Sequence, residues 1–140
     1  ALENFNVISN YKKSLDIKDF DIFFAKGLSL ENGAATITNF TAKLIADGMN
    51  YSHIKGQPSM YKWLVCGGGR KNKYLLEKIT NNFEEISLEP IDNYEIDGDY
   101  IESQAFAFLA IRCLEGMPIT FPSTTGCKDQ ITGGVLVNNY

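Results

Sequence analysis

Three consecutive glycines stand where an apolar segment meets a helical one, and this junction is the part of the chain best suited to chemistry. They are Gly67, Gly68 and Gly69, and the segment before them, 62–66, has the apolar, β-rich composition of a buried strand. Glycine has no Cβ atom, so a ligand can approach the backbone closely and the turn can adopt unusual dihedral angles. The junction indicates a nucleotide-binding turn, although a strand-to-helix turn can also need glycines purely for packing.

The segment after the glycines is predicted to form a helix whose first turn could meet an anion. Leu75, Leu76 and Ile79 recur on one helical face, and Asn72 is placed to cap the N-terminus. The free N–H groups of such a first turn offer partial positive charge to a phosphate or ribose oxygen.

Two other groups of side chains could contact a phosphate. Arg70, Lys71 and Lys73 form a small basic cluster beside the glycines, which could meet a nucleotide or be no more than a solvated helix start. The hydroxyl-rich loop 123–126 could bond a phosphate or a sugar, but hydroxyls in such loops usually bond their own backbone.

Glu102 is the acidic residue best placed for a functional role, since it begins a helix predicted over 99–114 whose remaining inner surface is apolar. Asp99 and Glu102 have the spacing of a capping box, and Asp97 is expected to lie in the turn before it. A carboxylate in the first turn can equally stabilise the helix by accepting bonds from its free N–H groups. Both interpretations of Glu102 stay open.

The elements around the glycine junction predict an α/β domain. An amphipathic helix precedes it, with Ser29 or Asn32 as the N-cap and Gly48 as the stop. A short strand at 84–89 follows it. A strand–helix–strand order favours a parallel pair, and ligands of open α/β sheets bind beyond the carboxyl ends of the strands.

The flanking segments carry weaker signals. Residues 1–28 are expected to be a partly irregular lead-in, and 51–61 a loop. The helix over 99–114 is apolar on more than one side and is expected to be buried on two sides. Residues 131–137 could add a final strand.

Length and composition indicate a single domain that needs no disulfide or metal to be stable. Of its 140 residues, 44% are hydrophobic and 21% charged, and no apolar run is long enough to cross a bilayer. A net charge of −4 and a pI near 5.0 argue against a large nucleic-acid surface, because phosphate binding draws on clustered Lys and Arg. Without a segment that resembles a signal peptide, a cytoplasmic location follows by default. We expect neither a membrane nor a nucleic acid as a partner.

The cysteines and the single histidine exclude some metal and nucleophile chemistry. Cys66, Cys113 and Cys127 are an odd number without paired spacing, so we expect reduced thiols, with Cys66 and Cys113 in the core. No Cys/His set has the spacing of a structural zinc site, and a Ser-His-Asp triad would rest on His53 alone. The sequence predicts no protein-held metal.

Four segments in the same order resemble the C-terminal part of anhydro-N-acetylmuramic acid kinase. They are 28–36, 65–72, 101–110 and 122–126. That family is similar to sugar kinases, actin and the related heat-shock chaperones, in which two α/β lobes close around ATP. The resemblance therefore implies, for 29–140, one lobe of the actin-like ATPase (ribonuclease H-like) fold, a mixed sheet with flanking helices. The resemblance begins near Ser14 and covers well under half the length of a family member.

The resemblance also implies a reaction and a set of site residues. In the family, ATP with Mg²⁺ phosphorylates anhydro-N-acetylmuramic acid while water opens the anhydro ring, which gives N-acetylmuramic acid 6-phosphate in cell-wall recycling. By the same resemblance, Gly67, Gly68, Gly69 and Asn72 match the adenosine-side motif, and Glu102 is expected to face the sugar.

Part of the family's machinery is not found in this sequence. The first phosphate loop and the aspartate that activates the attacking water are expected upstream of Ala1, so we expect no catalytic residue here and negligible turnover by half a cleft. A first residue other than methionine is typical of a piece of a longer protein. The expected partners are then the amino sugar and the missing N-terminal lobe, with a homodimer also possible. The alternative is a non-catalytic remnant domain that acts in self-association or partner binding.

Overall fold

The computed structural model describes residues 15–51 and 61–137. The helices and strands, in chain order, are α1 (Leu30–Tyr51), β1 (Lys62–Val65), α2 (Lys73–Thr80), β2 (Ser87–Pro90), α3 (Ile101–Leu114) and the short α4 (Pro122–Thr125). Single 3₁₀ turns lie at Ile17–Asp19, Phe23–Ala25, Gly68–Lys71 and Ile91–Tyr94. The order confirms an α/β chain.

The two strands form a parallel sheet across the predicted strand–helix–strand unit. Lys62 lies opposite Ser87 and Val65 lies opposite Pro90. β1 stops one residue before its predicted end, and β2 is shifted toward the C-terminus relative to 84–89. The predicted mixed sheet is not formed within the described ranges, where the sheet has two strands in parallel. The strand expected at 131–137 is reduced to one antiparallel bridge between Thr120 and Ile131.

The core lies where α1 and α2 pack on each other and on the sheet. At its centre lie the buried side chains of Ala42, Met49 and Ile79. Partly buried apolar side chains from both strands, from α2 and from the connection between α2 and β2 surround them: Trp63, Leu75, Leu76, Phe83, Ile86 and Leu88. The apolar face predicted for α2 is confirmed, because Ile79 is only 3% exposed. This packing fixes α2, and with it the turn that precedes it.

Helix α1 begins as predicted and ends later. The Ser29 hydroxyl accepts a hydrogen bond from the Asn32 N–H at 3.3 Å, which identifies Ser29 as the N-cap. The prediction that Gly48 ends the helix was wrong, because the helix continues to Tyr51. A glycine inside a helix costs about 1 kcal/mol, and the burial of Met49 one residue later outweighs it. The predicted loop 51–61 falls almost wholly outside the described residues.

Helix α3 differs most from its prediction. None of its residues is buried, and Phe106, Phe108, Ile111 and Leu114 are each 58–66% exposed, so the expectation of burial on two sides was wrong. An amphipathic pattern shows which side chains favour burial, whereas burial itself needs an opposing surface, and the described residues supply little of one.

The lead-in and the cysteines also depart from expectation. Residues 15–28 contain the 3₁₀ turns at Ile17–Asp19 and Phe23–Ala25, and the Phe24 ring packs 5.1 Å from the Phe40 ring of α1. The start of the lead-in and His53 lie outside the described residues. Cys66 is exposed rather than in the core because β1 ends before it, and Cys113 is half-buried. Among the described helices, none has the length and apolarity needed to cross a membrane.

Candidate functional site

The glycine turn leaves the carboxyl end of β1 and enters α2 through a 3₁₀ turn at Gly68–Lys71. Gly67 has φ +71° and ψ −178°, a conformation that essentially only glycine adopts without strain. Its N–H donates a hydrogen bond to the Gly98 carbonyl at 2.9 Å. Position 67 therefore requires glycine for the backbone, and the turn is tied to the segment that leads into α3.

Gly68 and Gly69 need another explanation. A Cβ atom built on Gly68 would have no neighbour within 4 Å, and one on Gly69 would meet only the Leu75 Cδ2 atom at 3.7 Å, an ordinary contact. Packing within the described residues therefore does not account for glycine at position 68. A bare backbone that faces open space at the carboxyl end of a parallel strand is suited to close approach by a ligand.

Asn72 caps α2 as predicted. Its Oδ1 atom accepts a hydrogen bond from the Leu75 N–H at 3.0 Å, and its own N–H donates to the Gly69 carbonyl at 3.0 Å. The cap holds the first turn of α2 in register with the glycines. Asn72 would thus contribute to a ligand site chiefly by fixing the backbone.

Arg70 points inward instead of toward solvent. Its side chain is 6% exposed, and its Nε and Nη2 atoms donate to both oxygens of the Asp92 carboxylate at 2.7 and 2.9 Å. Its Nη1 atom donates to Asp99 Oδ1 at 2.7 Å and to the Gly67 carbonyl at 3.0 Å. Arg70 therefore joins the glycine turn to the segment 92–99.

The ion pairs around Arg70 fix the charge of their carboxylates. Hydrogen bonds from Arg70 lower the pKa of Asp92 to about 2. Hydrogen bonds from Arg70, and then from Lys71 at 2.7 Å, hold the pKa of Asp99 well below its usual range. Both carboxylates are consequently ionised at neutral pH, and together they neutralise the cations next to the turn.

The Arg70 cluster is the feature that sequence reasoning missed. Arg70 is buried in ion pairs with Asp92 and Asp99 rather than part of a solvated helix start, whereas Lys71 is 63% exposed and its ammonium group pairs with Asp99. The capping box predicted from Asp99 is not formed, because α3 begins at Ile101 with Tyr100 at the N-cap, and the Asp99 carboxylate pairs with Arg70 and Lys71 instead. The available signal was the series of aspartates at 92, 97 and 99 after a strand next to the glycines.

Glu102 lies exposed in the first turn of α3. Gly98 and Asp99, which contact Gly67 and Arg70, come just before that helix. The structure therefore ties the segment that precedes α3 to the glycine turn.

In the hydroxyl-rich loop 123–126, the hydroxyls bond within the loop, which is the second of the two interpretations given for it. The Thr124 hydroxyl donates to the Phe121 carbonyl at 3.0 Å and accepts from the Phe121 N–H at 3.2 Å. The Thr125 hydroxyl is hydrogen-bonded to the Thr120 hydroxyl. These hydroxyls stabilise their own loop.

Comparison with known proteins decides the family. The family model described as anhydro-N-acetylmuramic acid kinase matches residues 16–139, nearly the whole chain. The chain belongs to this family. The resemblance stated from the four segments is thereby confirmed.

Relatives in the anhydro-N-acetylmuramic acid kinase family come from several bacteria. A protein of that name from Pelagibacter ubique is 49% identical over all of this chain and 38% of the relative. One from Brucella anthropi is 41% identical over 94% of this chain and 34% of the relative, and one from Rhodospirillum rubrum is 42% identical over 87% and 31%. The chain thus spans about a third of the length of the relatives that it matches.

Proposed function

We propose that this chain is the C-terminal lobe of an anhydro-N-acetylmuramic acid kinase, with an actin-like fold, and that its glycine turn binds the adenosine side of ATP. The observation that carries the proposal is the open space at Gly68, at the carboxyl end of a parallel strand and inside the family match. The proposed reaction is phosphorylation of the anhydro-sugar by ATP with opening of the ring by water, which gives N-acetylmuramic acid 6-phosphate. Its proposed place is the cytoplasm.

The residues of this chain fit ATP better than they fit Mg²⁺. Gly68 and Gly69 present bare backbone, and the capped start of α2 presents N–H groups that favour an anionic or polar ligand. The nearest carboxylates, Asp92 and Asp99, are already paired with cations. Within 15–51 and 61–137, no group of three or more His, Cys, Asp or Glu side chains could hold a metal ion. Mg²⁺ would be held mainly by the phosphates of ATP, with its protein ligands proposed to lie in the N-terminal lobe.

Each site residue then has a binding role. Gly67 sets the direction of the turn, Gly68 and Gly69 let the adenosine moiety approach, and Asn72 fixes the first turn of α2. Glu102, in the first turn of α3, contacts the sugar. The residue that activates the attacking water belongs to the missing N-terminal lobe, so the isolated chain binds without appreciable turnover.

The competing candidate is a non-catalytic domain that self-associates, and the exposed apolar side chains of α3 favour it. Large contiguous apolar patches on soluble proteins usually mark interaction sites. A homodimer through α3 is compatible with either candidate, so nucleotide binding distinguishes them and association does not.

The proposal is tested by calorimetric titration with Mg²⁺-ATP, with and without the anhydro-sugar. Gly68→Val should weaken nucleotide binding by at least about tenfold, since the added side chain occupies the space given to the ligand. Gly33→Val is the matched control, because a Cβ atom there would also meet nothing closer than 4.0 Å. Equal affinity of the Gly68→Val variant and the unsubstituted chain would place the nucleotide elsewhere. No binding to either at millimolar nucleotide would favour the non-catalytic candidate.

A further inference from the structure

We propose that Arg70 is a positioning residue for the nucleotide: it presets the backbone of the glycine turn by clamping it to the segment 92–99, and does not contact phosphate. This inference rests on the proposed nucleotide-binding function of the turn. It assigns to Arg70 a role that a basic residue beside a glycine turn would not ordinarily suggest.

The geometry of the guanidinium supports a clamp. A two-pronged bond to the Asp92 carboxylate at 2.7 and 2.9 Å fixes its plane, and the Nη1 bonds at 2.7 Å to Asp99 and 3.0 Å to the Gly67 carbonyl fix its rotation within that plane. Such planar, paired bonding is specific to arginine, since an ammonium group lacks the fork. The side chain is also 6% exposed, so it has little access to a ligand in solvent.

Gly98 contacts both Arg70 and Gly67 and so contributes to the clamp. It is buried, and a Cβ atom built on it would lie 2.5 Å from Arg70 Nε and 2.9 Å from Arg70 Cζ. Its carbonyl accepts the Gly67 N–H at 2.9 Å. Gly98 therefore leaves room for the guanidinium and anchors the turn at the same time.

Both polar groups of the Gly67 backbone are consequently held, the N–H by Gly98 and the carbonyl by Arg70. Gly68 and Gly69 follow directly, with no neighbour or only one ordinary contact at their Cβ positions to restrain them. Without the clamp, these glycines would be free to sample many conformations, and nucleotide binding would bear the entropy cost of ordering them.

The experiment compares four variants of the 140-residue chain. Arg70→Lys keeps the charge and removes the fork, Asp92→Asn weakens the two-pronged bond, and Gly98→Ala displaces the guanidinium without changing any charge. Asp97→Asn is the matched control, because it makes the same change in the same segment at a carboxylate 3.8 Å from Arg70. Amide hydrogen exchange of residues 67–72 without nucleotide and the Kd of Mg²⁺-ATP are both measured well below the melting temperature of each variant.

The expected result is faster exchange in 67–72, unchanged exchange in the α1–α2 core, and a Kd raised by about tenfold or more in the first three variants. The Asp97→Asn control should have the same exchange in 67–72 and the same Kd as the unsubstituted chain. A purely structural arginine would lower the melting temperature and leave the Kd of the folded molecules unchanged, and this outcome would overturn the inference, as would unchanged exchange. If the unsubstituted chain binds no nucleotide, the proposed function fails first and the positioning role fails with it.

Discussion

The main-chain N–H of Gly67 donates a 2.9 Å hydrogen bond to the carbonyl oxygen of Gly98, and this bond joins the glycine turn to the approach to α3. The turn carries the proposed adenosine contacts, and α3 carries Glu102 in its first turn. A displacement of one element would have to break or stretch this bond. In a kinase lobe, this would couple the position of the nucleotide to that of the sugar.

Gly67→Ala should destabilise the chain by about 1–3 kcal/mol, because φ +71° with ψ −178° is nearly closed to residues with a Cβ atom. Gly68→Ala is the comparison, since its Cβ position is empty and no positive φ is needed there. That variant should be neutral or more stable by up to about 1 kcal/mol. Urea unfolding measures both. Equal losses in the two variants would contradict the conformational argument.

Asn72→Ala should cost about 1 kcal/mol of unfolding free energy, because the Leu75 N–H loses its acceptor. Asn72→Ser supplies a new side-chain oxygen at the same position and should recover most of the loss. Denaturant titration of the three proteins checks this. If serine does not rescue stability, Asn72 acts through something other than the cap.

The ion pair between Arg70 and Asp92 should make stability depend on pH in the acid range. Because folding lowers the pKa of Asp92 from 3.8 to about 2, the folded state binds fewer protons than the unfolded state between these values. The contribution is therefore fully present above about pH 4 and is lost as pH falls toward 2. Asp92→Asn should be less stable than the unsubstituted chain at pH 7, and this difference should shrink below pH 4.

Chemical denaturation from pH 2 to pH 7 measures that difference directly. Asp97→Asn serves as its control, because its carboxylate is 3.8 Å from Arg70 rather than 2.7 Å. A gap between the Asp92→Asn variant and the unsubstituted chain that stays constant across the range would mean that the stability contributed by Asp92 does not depend on its charge.

Phe108→Asp on α3 should reduce self-association of the isolated chain. Phe108 is 58% exposed, and Ile111 and Leu114 follow at three-residue steps along the same helix with similar exposure. Ser103→Asp adds the same charge to α3 without removing apolar surface and should associate like the unsubstituted chain. Sedimentation velocity over a range of concentrations measures the effect. A chain that is monomeric at every concentration would remove self-association as a role of α3.

The sequence predicted best where local signals agree with one another. The apolar run of β1, the glycines, the Asn72 cap and the periodic face of α2 all indicate the same strand–turn–helix, and each was found close to its predicted place. Agreement of this kind arises because capping, periodicity and turn geometry depend on residues only a few positions apart.

The sequence predicted least where distant residues decide the outcome. The pairs of Arg70 with Asp92 and Asp99 join residues 22 and 29 positions apart. Helix α1 continues through Gly48 because of tertiary burial at Met49. The exposure of α3 depends on a surface that the described residues do not contain. None of these outcomes has a periodic or short-range signature.

The close approach of Gly98 to Arg70 should also be visible in evolution. A Cβ atom at position 98 and a guanidinium at position 70 exclude each other, so the two positions should covary among the relatives of this chain. Lineages that acquire a larger residue at position 98 should have lost arginine at position 70, together with the need for an acidic residue at position 92. Mutational paths between the two arrangements would pass through clashing or unpaired intermediates, so the three positions should be inherited as a unit.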